Sequence, residues 1–157
     1  MEEQFYFVFP LALLLLYRWV PKRVLLAVIA AAAVSLALST YFSPRNPSAA
    51  FYLLPTRAWE MMGGSILALL PDRNISSKTG GQKRAATFFS VAALATLAAT
   101  FALFRGGMTF PGYNALLPVA ATMALIYFTP GTAIASLLSL RWVRFVGLIS
   151  YSLYLWH

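Results

Sequence analysis

Long apolar runs divided by short basic or breaker-rich turns set the pattern of this chain. A membrane-spanning helix needs about 17 to 25 predominantly apolar residues. The first run covers residues 5–19 and is preceded by Glu2, Glu3 and Gln4. A basic turn centred on Pro21 leads into residues 24–42, dominated by Ala, Val, Leu and Ile, the cleanest span of all. The cluster Ser43-Pro44-Arg45-Asn46-Pro47-Ser48 breaks the chain. A third run, 51–70, carries Arg57 and Glu60 inside it, and a polar loop follows over 71–84 with Gly80-Gly81. The fourth run is 85–104, the fifth 115–128 with Pro118 inside, and 132–140 reads as a short amphiphilic linker. A sixth run starts near Trp142 and is cut at His157. The pattern predicts an all-α polytopic transmembrane bundle of about six spans in one domain over 1–157.

Composition supports lipid as the solvent. The chain is 61% hydrophobic and only 10% charged, against about a quarter charged in soluble domains. So few polar side chains cannot cover the apolar surface left after a core is filled. The net charge of +8 raises nucleic acid as a partner, but the Lys and Arg lie mainly between apolar runs. They form no continuous basic stripe with interleaved aromatics. Counted by alternate loops, nine of them (Arg18, Lys22, Arg23, Arg73, Lys78, Lys83, Arg84, Arg141, Arg144) oppose two, Arg45 and Arg105. The positive-inside rule then places 43–48 and 105–114 outside, together with both chain ends. Tyr6, Trp19, Tyr41, Tyr52, Tyr113 and Trp142 sit near span ends, as interfacial aromatic belts do.

With no cysteine and a single histidine, a disulfide framework, a thiol nucleophile and a Cys- or His-cluster metal site are excluded. Acids at the start, where a secretory signal carries Lys or Arg, make the first run a retained span.

Ionisable groups inside a membrane cost about 2.5–3.5 kcal/mol at a helix centre, which makes each a functional candidate. Arg57 and Glu60, three apart, share one helix face. They can form a structural ion pair, or Arg57 can clamp an anionic part of a substrate while Glu60 orients it. Helical spacing puts Ser150, Tyr154 and His157 on one stripe with Tyr151 beside it. His157 can act as a general base or as an interfacial residue. Glu2 and Glu3 can cap the first helix through its dipole or face an acceptor. No Gly-rich phosphate loop, Ser-His-Asp arrangement or metal-ligand spacing is present in the sequence.

Three segments together resemble the acyltransferase 3 family of membrane O-acyltransferases: Glu2-Glu3-Gln4-Phe5-Tyr6 before a Phe-Pro span, the stretch 51–60 ending Thr56-Arg57-Ala58-Trp59-Glu60, and 149–157 ending Leu155-Trp156-His157. The Arg57 segment is similar to bacterial members that acetylate lipopolysaccharide or peptidoglycan-type sugars, some fused to an SGNH hydrolase-like domain. The resemblance implies transfer of an acyl group, usually acetyl from acetyl-CoA, to a cell-surface sugar hydroxyl by a multi-pass protein of the inner (plasma) membrane. Acyl-CoA is then a donor substrate and no bound cofactor is implied. Glu2 and Glu3 take the outer mouth, Arg57 and Glu60 the central cavity, and Ser150, Tyr151, Tyr154 and His157 its far wall. The catalytic roles fall to Glu3, Arg57, Glu60 and His157, and substrate binding to Glu2, Ser150, Tyr151 and Tyr154. The family's first helix, with an Arg and a downstream His taken as the catalytic pair, has no counterpart here. The chain is therefore expected to be an internal portion of a longer domain, with the base outside it. A carrier of an anionic solute gated by Arg57 and Glu60, or a non-catalytic membrane scaffold, are the competing readings.

Overall fold

The computed structural model describes residues 2–70, 80–103 and 113–156; within them the side chains of Glu2, Glu3, Ala49, Tyr113, Tyr151, Tyr154 and Leu155 lie outside the description. Every element in this part is helical, and no strand occurs among the described residues. The helices are α1 (Glu2–Trp19), α2 (Val24–Phe42), α3 (Pro47–Tyr52), α4 (Leu54–Leu69), α5 (Gly80–Leu103), α6 (Leu116–Phe128), α7 (Ala133–Leu138) and α8 (Arg141–Trp156). Short 3-10 turns at Pro21–Arg23 and Tyr113–Ala115 lead into α2 and α6.

Two antiparallel pairs, α2 with α4 and α5 with α6, form the body, and α4 against α6 joins them. The first pair is fixed by a narrow stripe on α2, in which Val24, Val28, Ser35, Ser39 and Ser43 are buried. It faces Thr56, Ala58, Trp59 and Gly63 of α4. The second pair uses small residues in the same way: Ala86, Ser90, Ala93 and Thr100 of α5 are buried, with Ala121 on α6. Lipid offers no hydrophobic drive between helices, so small residues that allow close approach and hydroxyls that bond across the seam define such interfaces. Thr129, after α6, donates to Ser90 Oγ at 3.3 Å, and the Phe89 and Phe128 rings stack at 4.9 Å. Gly131, at φ 75°, turns the chain from α6 into α7, a conformation that glycine adopts without steric cost. Helix α1 lies on α2 and α4, with Phe5 as its buried contact.

Apolar side chains elsewhere point outward: Phe101 is 82% exposed and Leu148 72%. Pro21–Phe42 and Gly80–Leu103 are long and apolar enough to cross a membrane, with under a quarter of either window buried. Gln4–Trp19 and Leu116–Phe128 are apolar but shorter. Exposure of this kind identifies a membrane protein. Among the described residues, two helices rather than six meet the length and composition of a span.

The element boundaries depart from the sequence pattern in two places. The third run is divided at Leu53, whose backbone is extended, because Pro55 falls in the first turn of α4; a proline cannot continue a preceding helix but is tolerated in the first turn of a new one. Gly80-Gly81, expected in a loop, instead open the 24-residue α5.

Gly63 packs against the Met123 side chain where the two pairs meet. A Cβ there would lie 2.8 Å from Met123 Sδ, whereas one on Gly64 meets nothing within 4 Å. Gly63→Val is expected to separate α4 from α6 at a cost of about 1–3 kcal/mol. Gly64→Ala should be neutral or slightly stabilising, about 0.5–1 kcal/mol from helix propensity. Thermal melts of the detergent-extracted protein, read by size-exclusion chromatography, distinguish the two.

Candidate functional site

Arg57 and Glu60 sit in the first turns of α4, and what holds that turn is a residue on another helix. Pro55 has no N–H, and the start of any helix leaves unpaired backbone groups that lipid cannot satisfy. Thr56, 2% exposed, returns its hydroxyl to the carbonyls of Ala50 at 2.8 Å and Leu53 at 2.7 Å, closing the junction between α3 and α4. Ser35 of α2 does more. Its Oγ donates to the Pro55 carbonyl at 2.6 Å and accepts from the Trp59 amide at 3.0 Å. These two groups are four residues apart, the two ends of one rung of the helical ladder.

Arg57 and Glu60 form the ion pair that their spacing allows, with Nη2 of Arg57 3.1 Å from Oε2 of Glu60. The Arg57 guanidinium also lies over the Phe51 ring, 5.0 Å from its centroid. The two side chains are 30% and 19% exposed, so the pair sits at the margin of the bundle rather than in its core. The other carboxylate oxygen, Glu60 Oε1, is sealed from solvent with no hydrogen-bond partner among the described residues, as is Trp59 Nε1. A buried acceptor of this kind costs about 1–3 kcal/mol, more when charged, and is a place where a ligand donor is accommodated.

The Trp59 side chain turns to the opposite side, toward an apolar cavity of about 210 Å³ between α2, α4 and α6. Ile29, Ala33, Leu36, Gly63 and Met123 are among its walls. The arrangement therefore offers, on successive residues of α4, a charged pair with a spare acceptor and an apolar cleft. No group of His, Asp and Glu suited to a metal ion occurs among the described residues.

The other candidates are placed less fully. Glu2 and Glu3 belong to α1, which packs on α2 and α4, but their side chains lie outside the description, as do those of Tyr151 and Tyr154 on α8. His157 lies outside the described residues. Ser150 is exposed and donates to Gly147 O at 2.7 Å, inside its own helix. All described side chains of α8 are exposed, Ser150 among them; the rest of the expected polar stripe lies outside the description. Ser35 is not singled out by the sequence; its one available signal is that it is among the few small hydroxyl residues, with Ser39 and Thr40, of an apolar span.

Comparison with known proteins identifies the family. The family described as Acyltransferase domain matches residues 1–157, the whole chain. The chain belongs to that family, acyltransferase 3. It is 29% identical to the peptidoglycan O-acetyltransferase OatA of Listeria monocytogenes and 31% identical to the putative peptidoglycan O-acetyltransferase YrhL of Bacillus subtilis. It is 27% identical to the O-acetyltransferase OatA of Staphylococcus aureus. Each alignment takes in 99% of this chain but only 26 or 27% of the relative, so the chain spans about a quarter of the length of these proteins. No solved structure matches.

The ion pair can be tested apart from any activity. Glu60→Leu alone leaves Arg57 without its counter-charge and should lower stability by about 1 kcal/mol, the modest scale of a partly exposed pair. The double change Arg57→Leu with Glu60→Leu should recover most of it, since apolar replacement of both partners is often neutral. Melting midpoints of the single and double variants in detergent give the comparison.

Proposed function

We propose that this chain forms part of the membrane core of an O-acyltransferase that moves an acetyl group from acetyl-CoA to a sugar hydroxyl of peptidoglycan, with Arg57 and Glu60 in the transfer site. The observation that carries the reading is the half-satisfied carboxylate: Glu60 Oε2 is held by Arg57 while the sealed Oε1 has no partner among the described residues. A substrate hydroxyl that donates to Oε1 completes that group and is oriented by it. Its oxygen then bonds to the thioester carbonyl carbon, the carbon–sulfur bond breaks, and the hydroxyl proton passes to a base and from it to the departing sulfur, so that CoA leaves as the thiol. The resemblance gives the role of that base to a histidine. Arg57, permanently charged with a planar fork of donors, clamps the anionic part of a substrate beside the reacting groups.

Family membership favours this enzyme over an anion carrier built on the same pair. Peptidoglycan is preferred to lipopolysaccharide as acceptor because two of the relatives carry it in their names. The length of those relatives is consistent with further domains, such as the SGNH-like one that the resemblance implies. Glu3 and His157 are retained as proposed catalytic residues, and Glu2, Ser150, Tyr151 and Tyr154 as proposed substrate-binding residues. Localisation in the plasma membrane with several crossings belongs to the same proposal.

Arg57→Ala and Glu60→Ala, each made in the protein in its own membrane, should lower base-labile acetate on isolated wall glycan by at least about tenfold, with membrane levels unchanged; this is the lower end for loss of a charge-stabilising group. Wild-type acetylation in both variants removes these residues from the site. Topology has its own test, made simple by the absence of cysteine. A cysteine at Ser48 should react with an impermeant maleimide in intact cells, whereas one at Ser77 should react only after permeabilisation. Equal labelling of both overturns the crossing order.

A further inference from the structure

We propose that Ser35 is a positioning residue for acyl transfer: its hydroxyl fixes the turn of α4 between Pro55 and Trp59, and with it the direction in which Arg57 and Glu60 present their side chains. The inference rests on the assignment of Arg57 and Glu60 to the transfer site, and it adds a residue from a different helix.

Three observations carry it. The Ser35 hydroxyl is 4% exposed, so water does not compete for its bonds. It engages both ends of one rung, the Pro55 carbonyl at 2.6 Å and the Trp59 amide at 3.0 Å. Arg57 lies midway along the segment so clasped, and Glu60 immediately follows it. A side chain set into the i to i−4 ladder is one of the few physical causes of a local bend. Here the same oxygen ties that turn to α2, so the turn is held by α2 as well as by its own backbone. The next hydroxyls on the stripe, Ser39 and Ser43, are buried without a partner among the described residues; burial on this face does not by itself produce the contact.

Removal of the hydroxyl unties the Pro55 carbonyl and the Trp59 amide from α2, which frees the turn that carries Arg57 to shift relative to α2. Small displacements of this kind are costly, since a misplacement of 1 Å far from the chemistry can lose about a hundredfold in rate. Ser35 need touch no substrate to have this effect.

The test uses membranes containing the whole protein, radiolabelled acetyl-CoA as donor and purified peptidoglycan as acceptor. Ser35→Ala should lower the initial rate about tenfold at equal membrane abundance, while Ser35→Thr, which keeps the hydroxyl, should retain at least about half of it; both figures lie below the hundredfold of a full 1 Å misplacement. A second readout separates positioning from simple stabilisation. If Ser35 acts through Arg57, Ser35→Ala should lose less than about twofold more in an Arg57→Lys background, because residues that act as one unit are not additive. Losses that multiply in the double variant overturn the proposal, as does a wild-type rate in Ser35→Ala. Should Ser35→Ala fail to accumulate, Ser35→Cys, of similar size but a poor hydrogen-bonding group, is read by the same criteria. Loss of transfer in Arg57→Ala and Glu60→Ala with a normal rate in the Ser35 variants overturns this inference alone. Normal transfer in Arg57→Ala and Glu60→Ala overturns the site assignment and this inference with it.

Discussion

A single serine hydroxyl joins the two helices on which the rest of the bundle is arranged. In lipid an unpaired carbonyl or amide costs several kcal/mol, and the start of α4 is crowded with such groups because Pro55 stands there and Leu53 is extended. Ser35 engages one rung just inside that start, the Pro55 carbonyl and the Trp59 amide, from across the α2–α4 seam. An interhelical hydroxyl bond is worth only about 0.6 kcal/mol on average. Its weight here comes from the register it imposes on α4 against α2. With Ser35 against Pro55 and Trp59, Ala32 and Ile29 meet the later part of α4 and Gly63 is brought against Met123.

That register decides what α4 presents on each side. Trp59 faces the apolar cleft shared with α2 and α6, while Arg57 and Glu60 pair at the margin, beneath the Phe51 ring. One residue separates Arg57 from Trp59, and helical geometry sends the two to different faces. A charged pair and an apolar cleft thus share one short helix. The second pair, α5 with α6, serves as a buttress. Its buried polar groups bond among themselves, as Ser90, Thr129 and Thr132 do, and leave no comparable spare acceptor on Ser90.

The same constraint explains how the fold differs from a set of uniform spans. Helix α4 has 16 residues and α6 has 13, about 24 and 20 Å at the helical rise, short of the ~30 Å hydrocarbon core. Helix α5, at 24 residues, exceeds it. Short helices at the centre and long ones outside let non-helical backbone and ionisable groups lie at membrane depth where protein, rather than lipid, surrounds them.

Much of the fold was legible in the sequence, because an apolar run is a local property. The limits of α2 and α6 follow from Pro21, the 43–48 breaker and Pro130 with Gly131, and the pairing of Arg57 with Glu60 follows from three-residue spacing alone. The family was legible too, since its motifs are short and local. Which face of each helix turns inward was not. A run such as 24–42 is apolar all round, so its periodicity carries no direction, and only packing shows that its small hydroxyl residues face α4. For the same reason Ser35 was invisible as a partner of Pro55 and Trp59, residues 20 and 24 positions away. Charges and apolar runs declared themselves along the chain because solvation acts residue by residue; the spare oxygen of Glu60 and the clasp on its helix were decided by which helix came to lie beside which.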